Sequence, residues 1–173
     1  MKYLKFILCL CLPFFVNAQI FKGIPTGEEK IESSRPEFEN EVLGLVNKER
    51  KKRRLKALLW NTQLSYAARY HAKDMATDNY FDHYTMDRLP NGKHKKICDV
   101  FERMDNFSEA KIYSCAENIA AGKRTPKQVM KDWMTSRVHR NNILDKEIKY
   151  IGVGYIELKG SYYGDYWVQC FGL

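Results

Sequence analysis

Apolar residues recur at helical spacing early in the chain, and that spacing sets the first expectation. Phe38, Val42, Leu45 and Val46 return every three or four residues, the pattern of a helix with one buried stripe. Ser34-x-x-Glu37 reads as its capping box, with Pro36 in the first turn. A second helix is expected from about Thr62 to Asn79, carrying Leu64, Ala67, Ala68, His71 and Met75 along its stripe. Thr125-Pro126-Lys127-Gln128 opens another with the same cap-and-proline signature, followed by Val129, Met130, Trp133 and Met134.

The period changes near the C-terminus. Ile151, Val153 and Tyr155 alternate with Gly152 and Gly154, and Tyr166 to Phe171 forms a second strand-like run after a Gly160 to Gly164 turn region. Residues 84–116 are more polar, with a turn at Pro90-Asn91-Gly92 and a short helix expected near 97–105. Helices first and a hairpin last predict an α+β domain with helices packed on an antiparallel sheet.

Length and composition bound this picture. The chain has 173 residues, enough for one domain, and 45% hydrophobic residues, enough for a packed core rather than a disordered chain. No apolar run reaches the ~18 residues of a spanning helix. Lys2 and Lys5, the apolar stretch Phe6 to Val16, and Val16-Asn17-Ala18 have the layout of a secretory signal peptide over residues 1–18. The expected chain is therefore secreted or extracellular (the periplasm included), with no transmembrane segment after cleavage. Residues 19–33 read as a polar linker and 34–173 as the domain. In an oxidising compartment Cys98 and Cys115, which flank one excursion, are the pair expected to bridge, and Cys170 is expected to be a small buried apolar residue.

Charge is uneven. The formal net charge is +8, and loss of Lys2 and Lys5 with the signal peptide leaves 27 basic against 21 acidic residues. Lys48, Arg50, Lys51, Lys52, Arg53, Arg54 and Lys56 face only Glu49 in their segment, and the rest of the mature chain is balanced. Cations at a helix C-terminus favour the macrodipole, but the effect fades within the last turn. The excess marks a candidate surface for an acidic polysaccharide or anionic lipid. Nucleic acid fits less well, since no recognition motif accompanies the charge.

Chemistry-bearing residues are few. His71 lies on an apolar helical stripe and reads as a packed core histidine, and His94, among Lys93, Lys95 and Lys96, as part of a solvated loop cluster. His83 and His139 follow apparent helix ends without a local zinc spacing. Glu117 is an isolated acid in a small and apolar stretch, so it is expected to be buried with a partner, either structural or ligating. No phosphate loop or nucleophile elbow appears, and Ser114 sits in no nucleophile motif.

Taken together, Leu43 to Arg50 with Trp60, Asp74-Met75 with Tyr80-Phe81-Asp82-His83, Ala116 to Gly122, Trp133-Met134 with His139 to Leu144, Ile151 to Tyr155 and Tyr166 to Gln169 form an ordered set. The chain resembles the CAP superfamily of cysteine-rich secretory, antigen five and pathogenesis-related proteins, in its compact bacterial secreted form. The resemblance implies a three-layer α-β-α sandwich with a central antiparallel sheet, and a cleft lined by two histidines and one or two glutamates. By position the cleft residues would be His83, Glu117, Ser136 and His139, with His83 and His139 as ligands for Zn²⁺ or another divalent cation. Ser136 stands where the animal and plant members carry a second glutamate, and a serine is a poor metal ligand and no general base.

The resemblance therefore implies a secreted binding or interaction module, for a lipid or small apolar ligand or for a host or surface protein. A metal-dependent peptide or ester hydrolase using Glu117 as base is the alternative, and the missing acid points away from it.

Overall fold

The computed structural model describes residues 21–173, so the expected signal peptide lies outside the described residues. Helix α1 (Pro36–Lys51) leads to the two-residue strand β1 (Leu59–Trp60) and helix α2 (Thr62–Asp78). A hairpin of β2 (Thr85–Arg88) and β3 (His94–Cys98) precedes helix α3 (Val100–Phe107) and strand β4 (Cys115–Ala121). Helices α4 (Pro126–Thr135) and α5 (Arg137–Leu144) and strands β5 (Tyr150–Glu157) and β6 (Asp165–Gly172) complete the chain.

The main sheet runs β1-β5-β6-β4, and β2 and β3 form a separate two-stranded sheet. Strands β4, β5 and β6 are antiparallel as expected, but β1 joins β5 in parallel, so the sheet is mixed at one edge. Alternation along the strands sends side chains to two cores. Ile119, Ile156, Tyr166, Val168 and Cys170 pack with α2 and α3 on one face. Ala120, Ile151, Val153, Tyr155, Trp167 and Phe171 pack with α1, α4 and α5 on the other. This is the α-β-α layering, with Cys170 fully buried as expected.

Helix α2 lies directly on the sheet because both surfaces are small. Ala67, Ala68 and Ala72 are fully buried. A Cβ at Gly152 would stand 2.2 Å from Leu64 C and Ser65 N, and one at Gly154 2.4 Å from Ala68 C and Arg69 N. The glycines that break the apolar alternation of β5 are thus the seat of the helix.

Beyond β1 the open edge of β5 is covered by side chains, as exposed strand edges require. The buried Glu39 accepts from Tyr155 N at 3.0 Å and holds Arg69 through Nη2 at 2.6 Å. Ser34 Oγ accepts from Glu157 N at 3.1 Å. This corrects the expected capping box: α1 starts from Arg35 without a side-chain cap, since Ser34 serves the strand. At α4 the expected cap forms, with Thr125 Oγ1 accepting from Gln128 N at 3.3 Å.

Other expectations are corrected too. The helix expected near 97–105 begins at Val100, because Asp99 caps it and residues 94–98 pair as β3. His94 is therefore a strand residue whose Nε2 lies 2.9 Å from Asp78 O, not a solvated loop charge. The described part of the expected linker packs on the domain: Phe21 is buried edge-on to Tyr70, and Asn106 Nδ2 donates to Pro25 O at 3.0 Å. Cys98 and Cys115 are free thiols, so the expected bridge is not formed; one closes the hairpin, the other opens β4, and α3 intervenes.

Arg50 is a further correction, since it does not belong to an exposed basic surface. It is 1% exposed, with Nε donating to Lys56 O at 2.8 Å and Nη1 to Ile143 O and Asp145 O at 2.9 and 2.8 Å. The chain leaves α1 through crossed hydrogen bonds, Leu55 N to Arg50 O and Arg54 N to Lys51 O, both 3.0 Å. That is a Schellman arrangement, and Arg54 occupies its left-handed position with φ 59°.

The helix seat is testable. Gly154→Ala should lower the unfolding free energy by about 1–3 kcal/mol, as overpacking against backbone does. Urea denaturation measures it, and an unchanged midpoint would show that α2 can move off the sheet without cost.

Candidate binding cleft

Residues 115, 117, 119 and 121 of β4 share one face, and this places the Glu117 carboxylate toward α3. The side chain is 1% exposed, and each oxygen has a partner. Oε1 lies 2.8 Å from His83 Nδ1, and Oε2 accepts from Arg103 Nη2 at 2.6 Å.

Arg103 reaches the carboxylate because of where it falls on α3. Val100, Met104 and Phe107 form the apolar stripe of this helix, and Arg103 lies on the same side, fully buried. Its Nη1 donates to Thr85 Oγ1 at 2.9 Å, and both terminal nitrogens donate to His83 O at 3.2 Å. Asp99 fixes the start of the helix by accepting from Glu102 N at 2.8 Å. These further hydrogen bonds help offset the cost of taking both charges out of water.

His83 is presented by the turn after α2, and His71 holds that turn. His71 is fully buried, and its Nε2 lies 2.9 Å from Asp82 O. A carbonyl accepts only, so Nε2 carries a proton, and burial, which lowers the ring's pKa, keeps it neutral. His71 Nδ1 and Arg103 Nε have no partner and are the unsatisfied buried side-chain atoms among the described residues. The packed-core reading of His71 is met, with the added role of fixing the residue before His83.

These contacts separate the titrations. Burial pushes Glu117 up, but the opposing pull of Arg103 foremost, then of the imidazoles, brings it down to about 2. The hydrogen bond to Glu117 raises His83 above its ordinary range, against burial and the charge of Arg103. Burial, then Arg103, lowers His71 to about 3. His139 is lowered by burial and then by the charge of His83.

Beside the ion pair opens a cleft of about 410 Å³, lined by His83, Tyr84, Asp99, Val100, Phe101, Cys115, Ala116 and Glu117. Phe101 and Tyr84 are 40% and 38% exposed, large for aromatic residues, and form its apolar wall. Of the sequence-expected cleft residues, the structure brings His83 and Glu117 together. Ser136 joins α4 to α5 and His139 lies on α5, and neither is among the residues that line this cavity. Asn118, next to Glu117, turns to the opposite face, where its Nδ2 donates to His139 O at 3.1 Å, and the charge of His83 still reaches the His139 ring. Asn142 Nδ2 closes the link with Glu117 O and Asn118 Oδ1 at 3.2 and 2.9 Å. Sequence reasoning missed Arg103 and the Tyr84–Phe101 wall. The available signal was a lone arginine on the apolar stripe of α3.

Comparison with known proteins agrees with this architecture. A family model described as CAP, the cysteine-rich secretory protein family, matches residues 43–171. The chain is 38% identical over 139 residues to the protein YkwD of Bacillus subtilis, covering 80% of this chain and 48% of that one. It is 26% identical over 138 residues to the membrane protein YlbC of the same organism, covering 80% and 37%. The chain thus spans less than half the length of either curated relative. An extracellular protein containing an SCP domain from Bacillus anthracis has a similar structure, with TM-score 0.65, 26% identity and coverage of 79% of this chain and 40% of that one. An outer surface protein from Borrelia burgdorferi, with TM-score 0.66 and 19% identity over 83% of this chain and 96% of that one, shares the fold. With three-quarters of its length matching the family model, the chain belongs to the CAP family of cysteine-rich secretory proteins.

Proposed function

We propose that the chain is an exported binding domain whose cleft takes a small ligand with an apolar body and a polar head, and does not turn it over. One observation carries this reading: both oxygens of Glu117 are already engaged within the protein, at 2.8 and 2.6 Å. A general base works best with a pKa near the operating pH. Glu117 is held at about 2, and Ser136 supplies no second acid. The hydrolase reading therefore lacks its base. Export is supported by relatives described as extracellular and outer-surface proteins.

The residues do not fit a zinc ion. Catalytic zinc sites take three protein ligands and a water. Here Glu117 is neutralised by Arg103, and Nδ1 of His83 is turned to that carboxylate. Only Nε2 of His83 and the ring of His139 are left, and among the described residues no three His, Cys, Asp or Glu side chains gather as a ligand set. The fixed charge of Arg103 supplies what a cation would otherwise supply to the carboxylate.

The cleft suits a ligand held by contact and one directional bond. Phe101, Tyr84, Val100 and Ala116 offer apolar surface. Nδ1 of His83 keeps its proton against Glu117, so Nε2 faces the ligand, as a donor when the ring is charged and as an acceptor when it is neutral.

The apolar anionic dye 1-anilinonaphthalene-8-sulfonate is a suitable probe. It should bind with enhanced fluorescence that Phe101→Asp abolishes, that His83→Ala weakens, and that a chelator leaves unchanged. Equal binding by Phe101→Asp, or chelator-sensitive hydrolysis of nitrophenyl esters, would overturn the reading. Zinc titration calorimetry should show no heat that depends on His83 and His139.

The histidines should titrate apart in NMR. His71 should keep its neutral signals from pH 8 down to 5, while His83 titrates above its ordinary value and moves back toward it in Glu117→Gln. The stability that His83 contributes is complete below its unfolded pKa and disappears as pH rises through its raised folded value. A midpoint for His71 near 6.5 would contradict the buried geometry.

A further inference from the structure

The end of α1 carries a second surface, independent of the cleft and on the other face of the sheet. Lys48, Lys51, Lys52, Arg53, Arg54 and Lys56 are all exposed. Glu49 pairs with Lys52 and Arg53 at 2.5 and 2.9 Å. Lys48, Lys51, Arg54 and Lys56 have no ion-pair partner among the described residues.

The buried Arg50 enlarges this edge. By donating to Lys56 O, Ile143 O and Asp145 O, it pins the start of the α5–β5 connection beside the segment that leaves α1. Leu59 N then donates to Lys149 O at 2.9 Å, so the exposed Lys146 and Lys149 join the same edge. Eight exposed cations there meet three carboxylates, Glu49, Asp145 and Glu147.

Helix-end electrostatics accounts for Lys48 and Lys51, but Arg54, Lys56 and Lys149 lie beyond the last turn. Arg54 also holds the left-handed Schellman position, φ 59°, which glycine fills without strain. A cation is kept where the backbone favours glycine. Leu59 is the exposed large apolar side chain of this edge, and membrane-surface binding buries an apolar face beneath its charges.

We propose that this edge binds an acidic polysaccharide, a linear chain with repeated carboxylate, sulfate or phosphate groups, and that Arg50 is the positioning residue that brings its two segments together.

Heparin serves as the probe, with the full chain after export. The wild type should be retained on heparin resin, and Lys51→Gln/Arg54→Gln/Lys149→Gln should weaken binding roughly tenfold at physiological salt. Lys22→Gln/Lys30→Gln/Lys95→Gln removes the same charge from other exposed sites and should keep wild-type retention. Arg54→Gly should also weaken retention while raising the melting temperature by roughly 2–4 °C, so that its loss of binding cannot come from unfolding. Three results would overturn the proposal. These are an equal loss in both triple variants, no wild-type retention, or tighter binding to phosphatidylglycerol vesicles than to heparin, which would assign the edge to a membrane surface.

Discussion

Between α3 and β4 a guanidinium and a carboxylate meet out of water, and the cleft takes its form from that meeting. Removing either charge from such a pair leaves the other buried alone, at a cost of about 3–5 kcal/mol. Arg103 and Glu117 are therefore fixed relative to each other, and so are the elements that carry them. With α3 held in this way, Val100 and Phe101 become one wall of the cleft. Arg103 also donates to the His83 carbonyl while Glu117 engages the His83 ring, so one pair sets both the backbone and the side chain of the exposed histidine. His71 adds the last constraint by binding Asp82 O from below. The polar side of the cleft is thus organised before any ligand arrives, which lowers the ordering cost of binding.

How much of this was legible in the chain follows from which signals are local. The stripe of α2 and the alternation of β5 and β6 depend on period alone, and all three elements appear within a residue or two of expectation. Ser34-x-x-Glu37 looks like a cap by every local rule, but the open edge of β5 needs the Ser34 hydroxyl more, and that demand comes from more than a hundred residues away. The basic run was misread at one position for a related reason. Arg50 follows Val42 and Val46 at four-residue steps and lies on their buried stripe. Arg103 lies in the same way among Val100, Met104 and Phe107. In both helices an arginine on an apolar face signals a buried fork looking for oxygen partners, carbonyls in one case and a carboxylate in the other. The family resemblance located His83 and Glu117. It could not reveal that Arg103 completes Glu117, nor that Asn118, the next residue of β4, turns to the opposite face and binds His139 O.

The sheet that joins these sites also separates them. Gly152 and Gly154 let α2 rest on the backbone of β5, and the aromatic layer of Tyr155, Trp167 and Phe171 fills the opposite face. The α3 side and the α1 side are thus distinct surfaces on opposite faces of one sheet. Their chemistry differs accordingly. The cleft relies on fixed geometry, with buried charges that titrate far from their usual values and one histidine facing outward. The α1 edge relies on long, solvated side chains whose positions need not be exact, since a polyanion is held by summed potential rather than by a single contact. Only the backbone beneath that edge is exact, and there Arg50 contributes what Arg103 contributes to the cleft: a buried guanidinium that fixes a surface by binding the oxygens behind it.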